Sequence, residues 1–209
     1  ALVRAQAYRD KQARAADDPE AEPPDEDLQM ETLALALRRE IPVRIHAHRA
    51  DDILTALRLG EEFGLDVTVE HCTEGHKITT ELAAAGVPAL VGPSLSSRSK
   101  VELRELSFAT AGTLASAGVT VALISDHPFV PIQYLPLCGG LAIREGLDPE
   151  IALRALTLTP ARILGVADRV GSLEPGKDAD LALYSGHPFY DVQARCTMTF
   201  IQGQLVHEE

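Results

Sequence analysis

Four short apolar runs, each followed by a helix-length segment, constrain this chain more than any other feature. The runs are 42–46, 66–70, 87–91 and 119–124. Between the first two, Ile53, Leu54, Leu57 and Phe63 recur at helical spacing over 51–63. Segments 74–85 and 107–117 follow the same plan, and Gly64, Gly86 and Gly118 close the three predicted helices. β-Branched runs alternating with helices predict parallel βα units. Two more helices are expected over 133–144 and 148–156. Ahead of the repeat, 1–16 reads as a charged helix, 17–27 as an acidic linker holding Pro23-Pro24, and 28–39 as a helix with an apolar face. From Gly171 the texture turns to Gly-Ser-Leu-Glu-Pro-Gly-Lys, with strands expected at 180–184, 197–201 and 205–206.

Three of the apolar runs end in groups that bind metals. They are His46-Ala47-His48, Glu70-His71 and Ser125-Asp126-His127. Residues at the carboxyl ends of parallel strands gather at one end of an α/β fold, where its chemistry sits. Imidazoles and a carboxylate converging there make a site for a divalent ion. The strand count limits this reading. A (β/α)8 barrel takes about 250 residues and eight strands. This chain has 209 residues and four such units, so the expected fold is the C-terminal half of a TIM-type barrel. A doubly wound open sheet is the alternative, and the order of the ligand residues argues against it.

Bulk properties exclude some function classes. The formal net charge is −12 and the pI is near 5.0. Such a surface repels phosphate backbones and anionic lipid, so neither nucleic acid nor a membrane is an expected partner. No apolar run approaches the roughly 20 residues that span a bilayer. Cys72, Cys138 and Cys196 form neither a disulfide framework nor a C-x-x-C motif, which fits a reducing cytoplasm.

Three stretches carry a family resemblance: Val-Arg-Ile-His-Ala-His-Arg-Ala-Asp-Asp-Ile, Val-Glu-His-Cys-Thr-Glu-Gly-His and Ile-Ser-Asp-His-Pro. In this order they resemble the metal-dependent amidohydrolase superfamily, particularly its imidazolonepropionase-like and prolidase-like members. Leu158-Thr-Pro-Ala-Arg-Ile-Leu-Gly165 and Gly171-Ser-Leu-Glu-Pro-Gly-Lys-Asp-Ala-Asp-Leu181 are similar to that family's passage from barrel into β-sandwich. The resemblance implies three domains of structure: a helical lead-in with an acidic linker over 1–40, a half barrel over 41–168 and β-sandwich strands over 169–209. It implies hydrolysis of a C–N bond in an amide or cyclic amide, on a small-molecule substrate, with zinc or a similar divalent ion as cofactor. His46, His71 and Asp126 match the family's metal-lining residues on strands five, six and eight, and Asp126 its proton shuttle.

The family also has a strand-one His-x-His and a strand-four lysine, and 1–40 contains no His. His46-x-His48 has the spacing of the strand-one pair. It is read as strand five because four strands up to Asp126 are too few to run from strand one to strand eight. The chain is therefore expected to be a piece with an incomplete site, inactive alone, joining the missing half or another copy of itself. The alternative is a non-catalytic metal- or ligand-binding module that dimerises. His48, Arg49, His76, Arg98 and His127 lie just past strand ends, where they either face a substrate, support a ligand or are solvated. In the loop Gly92-Pro-Ser-Leu-Ser-Ser-Arg-Ser-Lys100, hydroxyls and two cations suit an anionic group on a substrate, or are solvated loop charges. Cys72 beside His71 does not form a nucleophile–base pair, because adjacent strand residues face opposite ways.

Overall fold

In the computed structural model, which describes residues 1–209, the four apolar runs form one parallel sheet. Its strands are β1 (Val43–Ala47), β2 (Val67–His71), β3 (Ala89–Val91) and β4 (Val121–Leu123), in the order β1-β2-β3-β4. Val43 lies opposite Val67, Val69 opposite Ala89, and Val91 opposite Leu123. Every crossover therefore steps one strand in the same direction. A doubly wound sheet reverses its order at a switch point, and this one does not. β1 and β4 each pair on one side only.

The crossovers are α3 (Ala50–Phe63), α4 (Thr79–Ala85) and α5 (Ala109–Ser116); α6 (Leu135–Arg144), α7 (Pro149–Leu156) and α8 (Leu158–Ile163) follow β4. α3 opens with Asp51 and Asp52 in its first turn, where carboxylates complement the helix dipole, and ends at Gly64 with φ 64°. α7 is capped by Asp148, whose side chain accepts from the N–H groups of Glu150 and Ile151. The core joins Ile53, Val69, Leu82, Leu114 and Leu147, all buried, between one sheet face and these helices. A second cluster packs α1 (Leu2–Asp17) and α2 (Leu28–Leu37) against Val43, Ile45 and Val67. The other face of β1 and β2 carries Arg44, His46, Thr68 and Glu70, and Arg44 pairs with Glu70 at 3.5 Å. The C-terminal segment forms a separate antiparallel sheet of β5 (Leu181–Tyr184), β6 (Cys196–Ile201) and β7 (Gln204–Glu208).

Two local features depart from expectation. The helix predicted over 74–85 is broken into a 3-10 turn, Gly75–Lys77, followed by α4. Gly75 sits against Cys72 Sγ, Leu82 and Leu114, leaving no space for a side chain. Its neighbour Glu74, itself buried, accepts the Ala50 N–H at 3.0 Å, capping α3. That N–H and the Lys77 ammonium hold the Glu74 carboxyl below its ordinary range. The second departure is α8, unforeseen because it contains Pro160; proline is tolerated in a first turn, where N–H groups have no helical partner.

The loop between β5 and β6 docks on α6 through Phe189, whose backbone carbonyl lies where a Gly140 side chain would stand. Gly140→Ala is therefore expected to cost about 1–3 kcal/mol of stability, measured by thermal unfolding. An unchanged melting temperature would show that this docking is loose.

Candidate metal centre

Three imidazoles meet at the carboxyl ends of β1 and β2. His46 and His48, two residues apart, share a side of the chain. Their ring centroids are 4.7 Å apart; His46 and His71 are separated by 4.3 Å, and His48 and His71 by 4.6 Å. One nitrogen from each ring lies within 4.8 Å of the others. Nitrogens bound to one zinc at about 2.0–2.1 Å stand no more than about 4.2 Å apart, so small ring rotations close the set on an ion.

His71 reaches this group by breaking the strand alternation. Regular pleating would send it to the helix-facing side with Val67 and Val69, opposite Glu70 and His46. Instead His71 has φ 70° and Cys72 φ 48°. Two consecutive non-glycine residues in the left-handed region are costly and persist where the surroundings enforce them. The ring is held by a 2.8 Å hydrogen bond between Nδ1 and the Gly92 carbonyl. A carbonyl only accepts, so Nδ1 carries the proton and Nε2 presents its lone pair. A carbonyl bond of this kind commonly orients a metal-binding histidine.

His48 is buried, with Nδ1 2.8 Å from Thr73 Oγ1 and Nε2 4.0 Å from Glu102. Burial, then the neighbouring His71 and His46, pushes its pKa down to about 4. It is thus neutral, the form that ligates metal, well below the usual histidine range. Between pH 6.5 and about 4 the unfolded chain binds this proton and the folded chain does not. Stability is therefore expected to fall with pH across that window, by about 1.4 kcal/mol per unit from this group. An NMR titration of the His48 ring should show a midpoint near 4; a midpoint near 6.5 would show an open, hydrated ring.

The donor set fits a divalent ion of the zinc type: three imidazoles, one with its proton fixed away from the cluster and one held neutral. Asp126 is not among them. It lies past β4, exposed, with φ 49°, a conformation Asp tolerates better than most residues. The other candidates have local partners. Arg49 binds Asp51 at 2.9 Å; Thr110 Oγ1 lies 3.3 Å from His76 Nδ1; His127 Nδ1 accepts the Ile132 N–H at 3.3 Å. Arg98 donates to the Leu106 carbonyl at 2.8 Å. Cys72 is fully buried and its thiol is pushed up to about 12, so it is no nucleophile.

His48 was expected beside the site and stands within the cluster. The i, i+2 spacing of His46 and His48 was the available signal. Nothing in the sequence pointed to the Gly92 carbonyl, Thr73 or Glu102.

Comparison with known proteins identifies the family. The amidohydrolase family profile matches residues 4–207. The crystal structure of an amidohydrolase from Thermotoga maritima superposes with a TM-score of 0.93 at 43% identity, over 99% of this chain and 54% of that one. An imidazolonepropionase of Symbiobacterium thermophilum is 34% identical over 176 residues, 80% of this chain and 40% of that protein. An amidohydrolase of Hapsidospora irregularis is 27% identical over 182 residues, covering 85% of this chain and 18% of that protein. The chain belongs to the amidohydrolase family. It spans well under two thirds of the length of these relatives. No helix is long and apolar enough to cross a membrane.

Proposed function

We propose that this chain contributes the metal-binding half of an enzyme that hydrolyses a C–N bond, in an amide or cyclic amide, of a small molecule. The observation that carries this reading is the meeting of His46, His48 and His71 at the carboxyl ends of β1 and β2. His46 and His71 would hold a divalent ion, most simply zinc, with His48 beside them. Such an ion supplies Lewis-acid activation of a water and of an amide carbonyl. Asp126 takes a proton from the attacking water and returns it to the departing nitrogen. It stands two strands from His71, about 10 Å at the usual strand spacing. Its exposed carboxylate is free to move a proton.

Four consecutively ordered parallel strands with two unpaired edges fit half of a (β/α)8 barrel. On this reading 41–168 is that half, 1–40 its helical lead-in, and 169–209 part of a β-sandwich. The other half closes the site, from a longer chain or a second copy. A cytoplasmic setting suits the free cysteines. The likeness to an imidazolonepropionase favours a cyclic amide among the substrates worth trying first. The test is turnover of a panel of linear and cyclic amides by the zinc-loaded protein, alone and joined to an upstream half. Hydrolysis is expected from the joined protein; zinc binding without hydrolysis of any amide would favour a binding module. The unpaired edges of β1 and β4 give that second reading its own support, and a tight dimer free of metal would establish it.

A further inference from the structure

The loop from β3 to α5 meets the imidazole cluster at two points. Its first residue, Gly92, holds His71, and ten residues later Glu102 approaches His48. Lys100 stands in the chain between these two contacts and reaches the cluster's edge through Glu102. Lys100 Nζ lies 3.4 Å from Glu102 Oε1, and the same oxygen lies 4.0 Å from His48 Nε2. The ammonium is therefore within roughly 7 Å of an imidazole of the cluster, and its positive field is felt at the His48 ring. This is a local cation in a chain of net charge −12.

The three cations of this loop differ in their freedom, and Arg104 pairs with Glu105 at 3.5 Å. Arg98 is tied to the Leu106 carbonyl at 2.8 Å and lines a cavity of about 320 Å³ with Ser94, Ser96, Ser107 and Glu145. Lys100 is well exposed, and its only ion pair is the exposed one with Glu102. Pairs of this kind contribute little net stability, so an incoming anion displaces Glu102 at small cost. The separation matters too. A group bound at Lys100 stands a few bonds from an atom held at the imidazoles, the reach of a small carboxylic acid carrying an amide.

We propose that Lys100 is a specificity residue that binds a carboxylate of the substrate, so that the enzyme prefers amides bearing a nearby acid group over neutral ones. This rests on the hydrolase reading above and names the substrate class for it. No bond is made or broken at Lys100; it orients the amide toward the cluster by a charge-assisted hydrogen bond.

The experiment compares N-acetylglycine, N-acetylalanine and N-acetyl-β-alanine with their neutral carboxamides, using the zinc-loaded complete enzyme and its Lys100→Met and Lys100→Glu variants. Calorimetric binding and steady-state hydrolysis are both read. At least one acid is expected to bind about tenfold more tightly than its carboxamide. Lys100→Met should erase that preference with the carboxamide unaffected, and Lys100→Glu should reverse it. Hydrolysis with a charge preference indifferent to Lys100, or no Lys100-dependent binding of any acid, overturns the proposal while leaving the hydrolase reading standing. Lys100-dependent binding of an acid without hydrolysis upholds the anion site and counts against the hydrolase reading instead. Retained zinc content in both variants separates loss of the anion contact from loss of the metal centre.

Discussion

His71→Ala is expected to lower divalent-metal affinity by at least about a hundredfold, since outer groups supporting a ligand alone account for 10–100-fold. Three observations meet at this side chain. It leaves the strand alternation through a left-handed backbone, gives its Nδ1 proton to Gly92, and stands 4.3 Å from His46 and 4.6 Å from His48 in ring separation. Removing it leaves two imidazoles, both contributed by the end of β1. The variant should still fold, because His71 is not a member of the apolar core that joins Val69, Leu82 and Leu114. Zinc stoichiometry by plasma mass spectrometry after dialysis, with circular dichroism alongside, checks the expectation. A folded variant retaining one zinc at unchanged affinity would place the metal elsewhere.

Asp126→Asn should leave metal content nearly intact and lower kcat of the complete enzyme by about 10²–10⁴-fold, the range for losing a positioned proton carrier. Asparagine keeps the shape and tolerates the positive φ of this position, so a fall in rate reports the lost base rather than a rebuilt loop. Asp126 lies outside the imidazole group, which is why metal content and rate are expected to separate. A variant that loses metal in parallel with rate would make Asp126 a principal ligand; one with an unchanged rate would remove it from the chemistry.

The parallel sheet was legible because its signals are local and repeat. Apolar runs and the glycines that end the helices follow from burial and from the left-handed turn at Gly64 and Gly86. Strand ends shifted by a residue or two, as where β2 extends to His71. The break at Gly75 escaped notice because the close packing there, first against Cys72 Sγ and then against Leu82 and Leu114, exists only in the folded core. The site was legible in part. His46 and His71 were marked by their positions after strands, and they do meet. His48 was placed beside the site rather than within it, since its burial depends on Thr73 and on a loop that returns from β3. The sequence singled out Arg98 and offered Lys100 only as the second cation of the 92–100 loop. The hydrogen bond that ties Arg98 to the Leu106 carbonyl, and the Glu102 pair that places Lys100 near His48, depend on the folded loop.

X-ray absorption at the zinc edge of the metal-loaded protein tests the central claim most directly. The three-imidazole centre predicts at least two nitrogen ligands with imidazole multiple scattering at about 2.0–2.1 Å, and one fewer in His71→Ala at saturating zinc. A first shell without imidazole, or one unchanged by that substitution, would contradict it.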